Sequence, residues 1–193
     1  MVSISKEVYS PSEDSWLLEE CILKENLVGK KCLDLGTGLG IQSIAMLKSG
    51  ASAVLAVDIN PLAIKESKKR VLEYLKKNKK VPNQVWKIKK SNLFSNIKEK
   101  FDFIAFNPPY VPSDEIKWVD LDGGEKGRIV IDKFVAGVAL HLNKKGILLL
   151  LVSSLNKPKE IEHLLKEKGF VTKVVGKKKL FFEELIVLRA VKI

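Results

Sequence analysis

Lys31-Cys32-Leu33-Asp34-Leu35-Gly36-Thr37-Gly38-Leu39-Gly40 is the stretch that decides the fold. Its first five residues form a short apolar run of the kind buried in a parallel sheet. Three glycines then fall within five positions, and a helical pattern opens directly after Gly40. Strand, glycine turn and helix in that order begin a βαβ unit. A second strand-like run, Phe101-Asp102-Phe103-Ile104-Ala105-Phe106, ends in Asn107-Pro108-Pro109-Tyr110. In an open α/β sheet, ligands sit beyond the carboxyl ends of the strands, beside the point where strand order reverses. Both turns therefore reach one cleft. The glycines let backbone approach a nucleoside-like ligand closely, and the Asn-Pro-Pro-Tyr turn sets rigid acceptors beside an aromatic ring.

The rest of the chain alternates in the same way. An amphipathic helix is predicted over Ser12–Lys24, and Ser10, Pro11 and Glu13 fit its start as a helix entry with a capping box. A helix from Ile41 to Ser49 follows the glycine turn, then a strand over Ala53–Asp58 and a helix from Pro61 toward Lys77. A short strand over Gln84–Lys89 comes before the Phe101–Phe106 strand. The polar loop Val111–Lys126 leads to a helix over Arg128–Leu142, a strand over Gly146–Val152 and a helix over Lys157–Lys168. Phe170–Val175 and Phe181–Val191 read as a closing hairpin. No repeat or linker interrupts the pattern, so residues 1–193 are expected to form one α/β domain with a short helical leader.

Composition narrows the class of protein. With 193 residues and 46% hydrophobic content, the chain is long enough for one substantial core. Its longest apolar run, Ile147–Val152, is too short to span a bilayer. The opening residues have no apolar secretion signal. Cys21 and Cys32 stand apart without metal-ligand spacing, which points to reduced core thiols and a cytoplasmic location. The net charge of +11 is almost all lysine, since Arg70, Arg128 and Arg189 are the only arginines. Such a surface steers a protein toward nucleic acid, yet it is also what a solvated lysine-rich face looks like.

The element order and the Gly36-x-Gly38-x-Gly40 spacing resemble the class I S-adenosylmethionine-dependent methyltransferases over nearly the whole chain. The dinucleotide fingerprint G-x-G-x-x-G has a different spacing. The resemblance implies a Rossmann-like three-layer sandwich, with a seven-stranded, mostly parallel sheet and an antiparallel closing hairpin. It also implies that S-adenosylmethionine lies across Gly36, Gly38 and Gly40, with Asp34 just before them. Asp58, ending the second strand, is placed to accept both ribose hydroxyls, while Asn60 is free to cap the helix that Pro61 begins. Where the family usually carries an acid for the adenine amino group, this sequence reads Ser91-Asn92-Leu93-Phe94. The Asn92 amide still offers an acceptor, without charge assistance, and Leu93 or Phe94 adds apolar cover. No metal is expected.

Asn107-Pro108-Pro109-Tyr110 reports on the methyl acceptor. Amide and aromatic amino nitrogens are weak nucleophiles because their lone pairs are delocalised. The Asn107 side-chain oxygen and the Pro108 carbonyl can accept the two N–H bonds of such a group. Tyr110 lies against its plane, and Asn107 also borders the cofactor. The prolines hold this shape with little entropy left to lose.

Tyr9-Ser10-Pro11-Ser12-Glu13-Asp14-Ser15-Trp16-Leu17-Leu18 and Gly123-Gly124-Glu125-Lys126-Gly127-Arg128 resemble segments of the archaeal and eukaryotic HemK-like release-factor glutamine methyltransferases. The resemblance implies a class 1 translation release factor as substrate, methylated at the glutamine of its Gly-Gly-Gln motif. It also implies a small zinc-binding activator subunit. By the same resemblance the leader folds over the cofactor with Ser15 on its polar groups; the glycine loop after Asp122 reads either as a hinge only or as a mobile loop well placed beside Tyr110 to admit a protein substrate. The competing readings are an adenine or guanine amino methyltransferase acting on RNA or DNA, and a non-catalytic module that keeps the fold.

Overall fold

Strands β1 (Lys31–Leu35), β2 (Ala53–Asp58), β3 (Val85–Lys90), β4 (Phe101–Phe106), β5 (Leu142–Ser153), β6 (Phe170–Lys179) and β7 (Glu184–Lys192) form one sheet in the order β3-β2-β1-β4-β5-β7-β6. The computed structural model describes residues 4–5, 7–78, 84–113 and 122–193. Residues 114–121 of the polar loop expected over Val111–Lys126 lie outside that set. The pairings among β1 to β5 are parallel, and β7 runs antiparallel to both β5 and β6. The strand order reverses between β1 and β4, as the glycine turn and the Asn-Pro-Pro-Tyr turn require.

Burial explains why these runs become central strands. Cys32, Leu33 and Leu35 of β1, Phe103 and Ile104 of β4, and Leu148–Val152 of β5 are all at most 1% exposed. Each such side chain removed from water contributes ~1.5–3 kcal/mol before ordering entropy is charged against it. The sheet carries helices α1 (Glu13–Leu23), α2 (Ile41–Lys48), α3 (Pro61–Lys77), α4 (Ile129–His141) and α5 (Pro158–Glu167). α1, α2 and α3 pack in succession, while α4 packs on α5. Right-handed crossovers on either side of the reversal send these groups to opposite faces. The result is the expected α/β three-layer sandwich.

Three local expectations are corrected. α1 starts at Glu13, with Ser12 as an N-cap that makes no side-chain cap bond, so Pro11 lies outside the helix and no capping box forms. Ser12 Oγ instead donates to Glu13 Oε2 at 2.5 Å. β6 runs on to Lys179, because pairing with β7 outweighs the weak strand propensity of three lysines. Phe181 and Phe182 consequently lie in the turn and not in the last strand, with Leu180 N–H donating to Glu183 O at 2.8 Å across it. Cys21 and Cys32 are free and buried, as expected. Among the described residues no helix is long and apolar enough to cross a membrane, and no cluster of side chains has the make-up of a metal site.

Candidate active site

Leu35 of β1 is in register with Phe106 of β4, so Gly36 and Asn107 leave the sheet side by side. Gly36 sits at φ +65°, and a Cβ there would come within 3.3 Å of Phe106 Cε2. The two turns border a cavity of about 310 Å³, within the size range of small-molecule sites. Its walls include Gly36, Gly38, Asp58, Asn92 and Leu93 on one side and Asn107, Pro108 and Tyr110 on the other. Asp14 and Ser15 of α1 complete it. The chain is strongly basic, yet among the described residues Asp14, Asp58 and Asp122 line this cavity against a single lysine, Lys133. Such a lining suits a ligand with a positive centre.

The glycines of the turn have different tasks. A Cβ on Gly38 would meet nothing within 4 Å, so that position is open to a ligand, and its N–H donates to Asp58 Oδ2 at 2.9 Å. Gly40 does not line the cavity. At φ +79°, a Cβ there would meet Val71 Cγ2 at 2.9 Å, so Gly40 lets α2 start against α3. Asp34 is also absent from the lining. Its Oδ2 accepts from Thr37 Oγ1 and Ser43 Oγ, both at 2.6 Å, and so shapes the turn from beneath. Asp34 and Gly40, both expected from the sequence at the cofactor, thus shape the turn and seat it against the helices.

Burial pushes the Asp34 carboxyl from 3.8 up to about 6, against the opposing pull of the Ser43 and Thr37 hydroxyls. Over that window the folded chain holds a proton that the unfolded chain has released. This group's contribution to stability therefore declines as pH rises from 3.8 toward about 6, then levels off. Melting temperatures of wild type and Asp34→Asn, compared across the window, are expected to show a difference that follows this decline. A pH-independent difference would show that Asp34 takes up no proton on folding.

Asn60 caps α3 as expected, beside Asp58. Asp58 Oδ1 accepts from Asn60 N–H at 2.9 Å, and Asn60 Oδ1 caps α3 by accepting from Leu62 N–H at 2.9 Å. Asn60 Nδ2 also donates to the carbonyls of Ser5 and Glu7, at 3.2 and 3.1 Å, which ties the leader beside the cavity. Leu93 holds the left-handed conformation at φ +48°, with its carbonyl accepting from Ser91 Oγ at 2.7 Å. A strained non-glycine residue at a cavity wall is a common mark of a ligand site. Phe94 stacks on His141 with ring centroids 4.3 Å apart, and of this pair Leu93 lines the cavity while Phe94 does not.

Asn107 shows the strongest functional signal. Its Nδ2 donates to Asp14 Oδ2 at 3.0 Å, which fixes the amide orientation because an ionised carboxylate only accepts. Its Oδ1 is shielded from solvent and has no hydrogen-bond partner among the described residues, and Gln42 Oε1 is in the same state. Both residues line the cavity. Leaving a buried acceptor unpaired costs ~1–3 kcal/mol, so two at one cavity wall mark places where a ligand completes the bonding. Asp14 is 3% exposed and also accepts from Ser15 N–H and Ser15 Oγ through Oδ1. Burial first, then the Asp14 charge, raises the Tyr9 phenol to about 12 and the Tyr110 phenol further still. Both phenols therefore stay protonated. Asp14 was legible only as an acid at the positive end of a helix, and an acid in a first helical turn is too ordinary to signal more. Gln42, inside an apolar helix pattern, carried no signal either.

The segment after Asp122 makes specific contacts where it is described. Asn156 Nδ2 donates to the carbonyls of Tyr110 and Lys126, at 2.7 and 3.0 Å. Gly127, at φ +63°, lies so near Tyr110 O that a Cβ would fall 1.8 Å from it. Arg128 bonds to Asp132, to Glu160 and to the Asn156 carbonyl. The acceptor turn is thus braced by β5 and its following turn.

Comparison with known proteins agrees with this geometry. The family model described as the methyltransferase small domain matches residues 12–182. A Methanocaldococcus jannaschii chain assigned by name as a protein N5-glutamine methyltransferase is 38% identical, over 98% of this chain and 94% of that protein. Methyltransferase HEMK2 of Homo sapiens is 32% identical over 84% of this chain and 79% of its own length. Among solved structures, the E. cuniculi Mtq2–Trm112 complex, described as responsible for methylating the translation termination factor eRF1, has a similar chain. The two are 30% identical with a TM-score of 0.77, covering 96% of this chain and 99% of that one. The chain belongs to the methyltransferase small domain family.

Proposed function

We propose that this chain is an S-adenosylmethionine-dependent N-methyltransferase acting on the side-chain amide of the glutamine in the Gly-Gly-Gln motif of a class 1 translation release factor. The observation that carries the reading is the Asn107 amide. Its nitrogen is held by Asp14, and its oxygen is buried without a partner among the described residues. That oxygen accepts one N–H of the incoming amide, and the Pro108 carbonyl accepts the other. Held by two acceptors, the nitrogen keeps more of its electron density as the new N–C bond forms, and one N–H proton leaves to solvent. Tyr110 supports the plane of the amide. Positioning of this kind contributes up to ~7–11 kcal/mol in favourable systems.

The cofactor supplies an electrophilic methyl on a sulfonium and leaves as the neutral thioether. Asp58 takes the ribose hydroxyls at the end of β2. Gly36 and Gly38 admit the cofactor backbone, Leu93 covers the adenine, and Asn92 accepts from its amino group. Ser15 and Asp14 border the methionyl end. Residues 1–193 act as one domain, in the cytoplasm with the substrate. The described complex of the similar E. cuniculi chain supports a small activator subunit here too.

The test is methyl transfer with purified release factor, its Gln→Ala variant and ribosomal RNA in parallel, each with and without activator. Mass spectrometry is expected to place one methyl on the motif glutamine. Label on RNA with the release factor unmodified would replace this reading by the nucleic-acid one.

A further inference from the structure

The turn joining β6 to β7 presents two bare aromatic side chains. Phe181 is 91% and Phe182 85% exposed, with ring centroids 4.6 Å apart and planes at 84°. Lone exposed apolar residues are ordinary, but a contiguous aromatic pair at a turn tip is of the kind that marks an interaction site. Neither ring is needed by the hairpin, which closes through the Leu180–Glu183 backbone bond.

The tip also lies at the catalytic edge. β7 runs antiparallel to β5, and Leu185 at its start pairs with Ser153 at the carboxyl end of β5. Glu184 N–H donates to Ser154 Oγ at 3.0 Å, in the turn whose Asn156 braces the Tyr110 carbonyl. The Glu183 charge reaches the Tyr110 phenol, and the Lys178 charge reaches Glu13 at the head of α1. The aromatic pair therefore lies at the same edge of the sheet as the turn that carries Tyr110. Lys177, Lys178 and Lys179 flank it, with Lys177 paired to Glu184 at 2.9 Å.

We propose that Phe181 and Phe182 anchor the acceptor protein outside the cavity, gripping an apolar patch bordered by acidic side chains that meet Lys178 and Lys179. The proposal rests on the protein-substrate reading above. A single glutamine amide offers little surface, so selection of one protein among many needs binding energy from beyond the reacting group. Exposed aromatic anchors are typical of the few residues that supply it. Protein is favoured over RNA at this tip. An edge-to-face pair does not offer the successive parallel faces on which bases stack.

The experiment compares wild type with Phe181→Ser/Phe182→Ser, with Phe181→Tyr/Phe182→Tyr and with Lys178→Glu/Lys179→Glu. Each is assayed on intact release factor and on a short Gly-Gly-Gln peptide, and S-adenosylhomocysteine affinity is measured by calorimetry. The serine pair is expected to lose about tenfold or more in kcat/KM on the intact protein, with peptide kinetics and cofactor affinity unchanged. The tyrosine pair should retain activity, and the lysine reversal should weaken protein turnover alone. An active wild type whose serine variant works equally well on intact protein overturns the docking proposal by itself, as does equal loss on protein and peptide. A serine variant that loses single-stranded RNA binding but keeps its release-factor kinetics overturns it in favour of RNA. A wild type inactive on release factor overturns the functional reading and this proposal together.

Discussion

Asn107→Ala is expected to lower the single-turnover methylation rate by about 10²–10³-fold, the usual result of removing one preorganised acceptor or donor at a reacting centre. Affinity for S-adenosylhomocysteine should change far less. The variant loses the one side-chain oxygen at the acceptor turn that is buried and unpaired among the described residues, and with it the fixed position of the target nitrogen. The turn itself should survive, since the prolines and the Asn156 bond to Tyr110 O do not depend on the amide. Asn107→Asp provides a sharper contrast. It keeps an oxygen in place but replaces the bond to Asp14 with two acidic groups in contact, so one of them must hold a proton. That variant should also be slow, with activity recovering toward acid pH if the shared proton restores the geometry. Near-normal turnover by Asn107→Ala would assign the turn a different role.

Asp14→Ala is expected to reduce turnover by about 10²-fold, the scale on which a displacement near 1 Å acts at a reacting centre. Asp14 reaches Asn107 across 93 positions of sequence and does not carry the reacting atoms, so its role is positioning. Without it the Asn107 nitrogen has no described acceptor and the amide can rotate, presenting N–H where the substrate also presents N–H. Asp14→Asn keeps one oxygen that can accept from Asn107, and should recover roughly tenfold over the alanine variant if that positioning is worth ~1.4 kcal/mol. A purely structural role for Asp14 would appear as a lowered melting temperature with kcat preserved in the folded fraction. Equal kcat for the wild type and both variants would sink the positioning role.

The parts of the site legible in sequence share one property, since each sits where a strand ends. Gly36 and Gly38 follow β1, Asp58 ends β2 and Asn107 follows β4, and the reversal of strand order gathers them without further information. Asp34 and Gly40 belong to the same turn, but their side faces the helices, and sequence spacing does not distinguish the two sides. Asp14, Gln42 and Asn156 were missed because their partners are tertiary. Asp14 meets Asn107, Gln42 donates to the Ser15 carbonyl, and Asn156 meets Tyr110. The extended β6 and the displaced Phe181 and Phe182 have a similar cause, as pairing with β7 overrode local propensity.

The Asn156 brace makes the acceptor turn depend on chain far from it. The Tyr110 carbonyl is held by a side chain 46 positions further on, beyond β5. Asn156 is absent from the cavity wall, yet it grips the backbone that follows the two prolines. A change in the turn after β5 can therefore shift the place where the acceptor lies while leaving every cavity-lining side chain unaltered.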